Sequence, residues 1–219
     1  YSLFQGLQRG YGIIDAHGNY VYKYGTPDPE LYKQHLEGKI SLGIVPINED
    51  SKCKFGCLDF DDHKKGGVKK EFNYNKLLQK INFLKLPLTV FKSKSGGAHA
   101  YMFLDKFYKA EAVRYVLRKM VYSLGYERDS VEIFPKQEVL LPTDKGSFVN
   151  LPYKGGNSRV SIDFNGKELN APEGIKFASK RITNEENWIK FKLLDHGKAQ
   201  HRNERTFAAA AFLKKHYED

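Results

Sequence analysis

In the stretch FGCLDFDDH, residues 55–63, an otherwise apolar strand carries Asp59 and Asp61 two positions apart, and this constrains the fold more than any other feature. Residues i and i+2 of a strand point the same way, roughly 6.5–7 Å apart. The two carboxylates therefore converge on one side, while Leu58 and Phe60 face the other. Buried carboxylates are costly unless a cation meets them. Either the strand ends here and the acids face water, or their face holds metal. Taken alone, the pair is explained well by a strand running into the polar loop DDHKKGG.

The flanking segments read as alternating strands and short helices. YGIIDAHGNYVYKYG is a β-hairpin around HGN. TPDPELYKQHLEGK has a capping Thr or Asp, an early Pro and a closing Gly38, the marks of a short helix. LGIVPI is a buried strand. NYNKLLQKINFLKL places Leu77, Leu78, Ile81 and Leu84 at helical spacing, and LTVFKS follows as a strand. AHAYMFL alternates, and KAEAVRYVLRKMVYSLG is an amphipathic helix stopped by Gly125. VEIF, SFVNLPY and RVSIDF are short β pieces, and NEENWIKFKLL and NERTFAAAAFLKKHY are helical. The order strand–helix–strand–strand–helix–strand between residues 55 and 134 predicts an α+β fold, a split β-α-β unit whose four-stranded sheet carries two helices on one face. The other face is expected to be open and free to carry a site.

Two more segments bear on the acids. In SKSGGAHAYMFL a basic glycine turn leads into a strand that opens with His99, with Tyr101 and Phe103 on the same side. Exposed backbone N–H groups at Gly96 and Gly97, with Ser95, suit a phosphate, and Lys92 and Lys94 supply charge. In VEIFPKQ, Glu132 lies between apolar neighbours and could complete a three-carboxylate site. Asp163, in VSIDF, has the same apolar flanks and is its rival. Hard oxygen donors at these spacings suit a pair of magnesium or manganese ions.

The formal net charge is +10, from 36 Lys and Arg against 26 Asp and Glu. Basic residues sit beside aromatics and glycines in FKSKSGG, FPKQ and LPYKGGNSR, which points to a polyanionic partner. No apolar run approaches the roughly 20 residues of a membrane span. Cys53 and Cys57 fit ordinary thiols in a reducing compartment. The chain opens at Tyr1 and reads as a fragment of a longer protein carrying further domains.

A D-x-D strand, a Ser/Gly turn into a strand histidine, and an acid just before FPKQ together resemble the archaeo-eukaryotic primase superfamily. The resemblance is to its prokaryotic primase-polymerase branch, which includes CRISPR-associated and conflict-system members. It covers residues 40–165 well and the hairpin more loosely. It implies a catalytic core over 1–195, with an N-terminal αβ module over about 1–50 and an RRM-like, metal-binding module over about 51–180. GKAQHRNERTFAAAAFLKKH resembles the start of a helical accessory module, so 196–219 is expected to begin one. By the same resemblance Asp59, Asp61 and Glu132 hold the two divalent ions, with Asp163 in reserve. His99, Ser95 and Lys94 contact the nucleotide's phosphates. Lys136, Lys154, Asn157 and Arg159 are candidates for an initiating nucleotide or the template backbone, and Arg202 and Asn203 could bind the same phosphates at a helix start.

The resemblance implies a DNA primase-polymerase in the prokaryotic cytoplasm, acting on single-stranded DNA and nucleoside triphosphates. A gap-filling polymerase without initiation, a two-metal nuclease and a non-catalytic single-strand binder remain as alternatives. The nuclease does not explain the Lys-Ser-Gly-Gly turn, and a binder has no use for acids that repel phosphate.

Overall fold

The structure, a computed structural model, describes residues 1–14, 17–60, 72–127 and 130–192. The N-terminal segment forms an antiparallel sheet. Strands β1 (Gly10–Ile14) and β2 (Tyr20–Tyr24) make the hairpin that HGN predicts, and β3 (Ser41–Ile44) lies on the other side of β1. Between β2 and β3 runs helix α1 (Pro29–Leu36). Asp28 caps it, its carboxylate accepting from the Leu31 N–H at 3.0 Å, which offsets one of the unpaired donors of a helix start. His35 fastens the helix to the sheet. Its Nδ1 accepts from the Leu42 N–H at 3.0 Å, so its Nε2–H donates to the Pro152 carbonyl at 2.9 Å.

The second sheet contains the split β-α-β unit. Strands β4 (Lys52–Phe60), β5 (Leu88–Lys92), β6 (Ala98–Lys109) and β7 (Glu132–Phe134) are connected through helices α2 (Tyr74–Phe83) and α3 (Ala110–Ser123). After α3 the chain also supplies β8 (Val149–Asn150), which returns to the first sheet beside β3. A hairpin of β9 (Ser161–Ile162) and β10 (Glu168–Leu169) then extends the second sheet beyond β5. The spatial order is β10-β9-β5-β6-β4-β7, so the four expected strands are the centre of six. The added hairpin covers an edge of β5 that would otherwise expose unpaired backbone groups. Helices α4 (Ala171–Ser179) and α5 (Glu185–Lys192) follow. The helix expected over 196–219 lies outside the described residues. No helix among the described residues is long and apolar enough to cross a membrane.

The pleat of the second sheet divides the core in two. Leu58, Phe60, Ala98, Ala100 and Met102 meet α2 and α3 through Leu77, Leu78, Ile81, Val113 and Leu117. On the other face Phe55, Cys57, Phe91, Tyr101 and Phe103 meet Phe4, Leu42, Ile44, Val149 and Leu151. That face is therefore covered, whereas the sequence reading expected it to be open. The first sheet and the N-terminal turn roof it. The reason is the size of the side chains there: Phe55 and Tyr101 are fully buried, and each such aromatic gains about 1.5–3 kcal/mol from leaving water. Phe4 packs edge-on against Phe55, Tyr101 and Phe103 at 5.2–5.4 Å between centroids.

A register irregularity between Cys53 and Phe55 sends the two cysteines to opposite cores. Both are free, and burial pushes the Cys53 thiol up to about 12, so it is inert as a nucleophile.

Candidate active site

Strand register brings three candidate residues into one row. Asp59 on β4 pairs with His99 on β6 and, across its other edge, with Glu132 on β7. Directly opposed residues of antiparallel strands share a face, so the three lie side by side at the end of the roofed surface. The Asp59 and His99 side chains are only 15% and 11% exposed. His99 Nε2 lies 3.2 Å from Asp59 Oδ1. The contact lacks hydrogen-bond alignment, and Asp59 Oδ1 is buried with no hydrogen-bond partner among the described residues. An acceptor left in this state costs about 1–3 kcal/mol.

The imidazole is positioned from the roof. The Tyr101 hydroxyl donates to the Asn150 carbonyl on β8 at 3.1 Å and lies 3.4 Å from His99 Nδ1. Burial raises the Tyr101 pKa well above its usual value, so the hydroxyl keeps its proton. Sequence reasoning did not single out Tyr101 as a site residue. The available signal was its place two residues beyond His99, on the same side of the strand.

Glu132 is half-exposed and its carboxylate is held by Lys136 Nζ at 3.0 Å, an ion pair lying across the Phe134 ring. With Glu132 turned to Lys136, no group of three His, Cys, Asp or Glu side chains among the described residues is arranged to hold a metal. Asp61, the second acid of the pair, lies outside the described residues, as do Arg202 and Asn203. Asp163 is not brought to the row, because β5 and β6 separate its strand from β4. Its Oδ1 accepts from the N–H groups of Asn165 and Lys167, both at 2.9 Å, and so closes the β9–β10 turn.

The basic glycine turn, residues 93–97, ends two residues before His99. Its ends are tied by the Ser93 N–H to Gly97 carbonyl bond at 2.9 Å, and Gly96 takes a φ of +94°. The Tyr74 hydroxyl on α2 donates to the Gly97 carbonyl at 2.6 Å. Lys94, Ser95 and Gly96 face solvent, and Gly97 is buried. Lys92 points to the other face. It pairs with Glu168 and lies 5.9 Å over the Tyr74 ring.

Lys154 opens a tight turn, Lys154–Gly156, that packs near the end of α1, and Asn157 beyond it is exposed. Arg159 takes a φ of +54° and reaches to β3 of the first sheet. Its Nη2 donates to the Ser41 hydroxyl at 3.2 Å, and its Nη1 is buried with no partner among the described residues. Burial lowers the guanidinium's pKa, opposed by the nearby hydroxyls of Tyr101 and Tyr20. A partly buried cation of this kind is a ready site for an anion.

The described residues form no complete metal site, but the donor types present suit a divalent metal and phosphate. Asp59 offers a hard oxygen that lacks a donor, and magnesium and manganese take such ligands. Lys94 and Arg159 offer positive charge, and the exposed Ser95 a hydroxyl, for phosphate.

Residues 19–163 match one protein-family model, described as the archaeo-eukaryotic primase domain of the TOTE conflict system. No curated protein matches the chain.

Proposed function

The chain belongs to the archaeo-eukaryotic primase family of TOTE conflict systems, and from that membership we infer that it is a template-directed DNA primase-polymerase. The family is one of primase-like nucleotidyltransferases. The observation that carries the finer reading is the row of Glu132, Asp59 and His99, with the buried, unpartnered Asp59 oxygen beside a basic glycine turn.

In this reading a primer 3′-hydroxyl attacks the α-phosphate of a nucleoside triphosphate. The new P–O bond forms as the bond to pyrophosphate breaks, and pyrophosphate leaves. Asp59, with Asp61 and Glu132, would hold two magnesium or manganese ions, which supply hydroxyl activation and charge neutralisation. His99, Lys94 and Ser95 bind and orient the triphosphate, and Arg159 holds phosphate charge. Lys136 neutralises Glu132 until a stronger cation competes for that carboxylate. Lys154 and Asn157 lie beyond Arg159 and are assigned to the initiating nucleotide or the template backbone. A nuclease would need the acids but not a triphosphate cradle.

The test is synthesis on unprimed single-stranded DNA with magnesium or manganese and a nucleotide labelled on its γ-phosphate. The wild-type chain should yield short labelled products, and Asp59→Ala should yield none. Extension of an annealed primer without labelled initiation would reduce the assignment to a polymerase. Absence of both, or full activity in Asp59→Ala, would overturn it.

A further inference from the structure

The first sheet carries a face that the catalytic reading leaves unused. Along β2, Tyr20, Tyr22 and Tyr24 alternate to one side, with Val21 and Lys23 on the other. The neighbouring strand meets Tyr22 and Tyr24 with glycine and Tyr20 with Ile14. Gly10 pairs with Tyr24, and Gly12 pairs with Tyr22 and, across its other edge, with Gly43. A Cβ at Gly10 would lie 1.8 Å from the Tyr22 hydroxyl, and one at Gly12 or Gly43 would lie 2.4 Å from the Phe148 ring. The rings of Tyr22 and Phe148 therefore rest directly on the backbone of β1 and β3.

Around that pavement the outer rings stand free. The Tyr20 centroid is 6.1 Å from Phe148 with a 37° tilt, and the Tyr24 centroid is 5.2 Å from Tyr22, edge-on. Tyr20 is 61% exposed and Tyr24 75% exposed, so neither contributes to a core. Lys145 Nζ lies 5.6 and 5.8 Å from the ring centres of Tyr22 and Tyr24. Tyr20, at the inner end, shares a strand row with Ile14 and Ser41, and the Ser41 hydroxyl accepts from Arg159 at 3.2 Å.

An aromatic ladder repeating every second residue, with its two outer rings exposed and a cation beside it, matches one ligand chemistry closely: unpaired bases to stack and phosphates to neutralise. A protein partner would need a buried apolar centre, whereas here a lysine stands beside Tyr22 and the open ring of Tyr24 in a chain of net charge +10.

We propose that Tyr20, Tyr22 and Tyr24, with Phe148 and Lys145, form a stacking track for single-stranded DNA whose inner end, at Tyr20, lies in the strand row of Ser41, to which Arg159 is bonded. The identity of the strand as the template rests on the polymerase reading; the track itself does not. Tyr22 is the fixed centre of the ladder, while Tyr20 and Tyr24 are the rings free to accept bases.

Anisotropy of a labelled oligo-dT, measured at constant salt without nucleotide or metal, tests the track. Replacing Tyr20 and Tyr24 together by alanine should weaken binding roughly tenfold or more, since one stacked base is worth that much. Tryptophan at the same two positions should restore affinity, because the face and not the hydroxyl is used. Lys145→Ala should lower the salt slope by about one. Tyr115→Ala, which removes an exposed tyrosine on α3, should bind as wild type.

Wild-type affinity in the double alanine variant would overturn the track, as would tyrosine-dependent binding of oligo-rU that exceeds that of oligo-dT. A chain that binds oligo-dT through the tyrosines yet incorporates no nucleotide would keep the track and overturn the polymerase reading. The two failures are thus separable.

Discussion

Asp59 keeps a buried carboxylate oxygen without a hydrogen bond from the described residues, beside an imidazole that the Tyr101 hydroxyl approaches from behind. Structural acids are seldom left in this state, because it costs stability and returns none. Asp59→Asn should therefore bring nucleotide incorporation to background while leaving the folded state as stable as wild type or about 1 kcal/mol more stable. Activity assays beside chemical denaturation check it, and a large loss of stability would mean that the carboxylate is structural. Asp163 makes the opposite case. Its carboxylate closes a turn with two backbone N–H bonds. Asp163→Ala should cost about 1 kcal/mol in denaturant midpoint and leave incorporation per folded molecule unchanged. A variant that is stable but inactive would make Asp163 a ligand after all.

The elements were legible to different degrees, for physical reasons. The strands bearing Asp59, His99 and Glu132 could be read because each alternates and each is bounded by turn residues. Their adjacency followed from the split β-α-β order, and the register then aligned all three. The covered face could not be read, because nothing in Phe55, Tyr101 or Phe103 says which segment will pack upon them. Helix α4 went unread although its start was written plainly. Asn170 and Glu173 form a reciprocal cap, at 3.0 and 3.2 Å, with Pro172 in the first turn. The helix is short and carries a glycine, which obscures its periodicity. That glycine is there for packing. A Cβ at Gly174 would lie 1.8 Å from the Tyr153 hydroxyl, which is bound to Ser161 Oγ at 2.7 Å and to the Leu169 carbonyl at 3.1 Å. Gly174→Ala gains about 1 kcal/mol of helix propensity but forces a buried ring to move, at roughly 1–3 kcal/mol. The net effect should be a lower melting temperature, and a higher one would show that the contact relaxes freely.

At the scale of the whole molecule, the roof and the site share their fastenings. His35 joins α1 to both β3 and the segment after β8, and burial lowers its pKa from 6.5 to about 4. The unfolded chain takes up this proton near 6.5 and the folded chain does not, so stability is full above that pH. It falls as pH drops towards 4, by roughly 3 kcal/mol in all. His35→Gln should be less stable than wild type at neutral pH and should lose less stability between pH 7 and pH 4. Denaturation at both pH values measures the difference, and equal losses would remove His35 as the cause. The strand exchange that places β8 in the first sheet reaches further than stability. Asn150, which anchors the tyrosine behind the imidazole, belongs to the roof in space but to the later part of the chain in sequence. In the descent of such a chain, neither layer can be traded alone by recombination. A foreign N-terminal segment would arrive without its fourth strand, and its sheet would have to accept the resident one before the imidazole could be aligned at all.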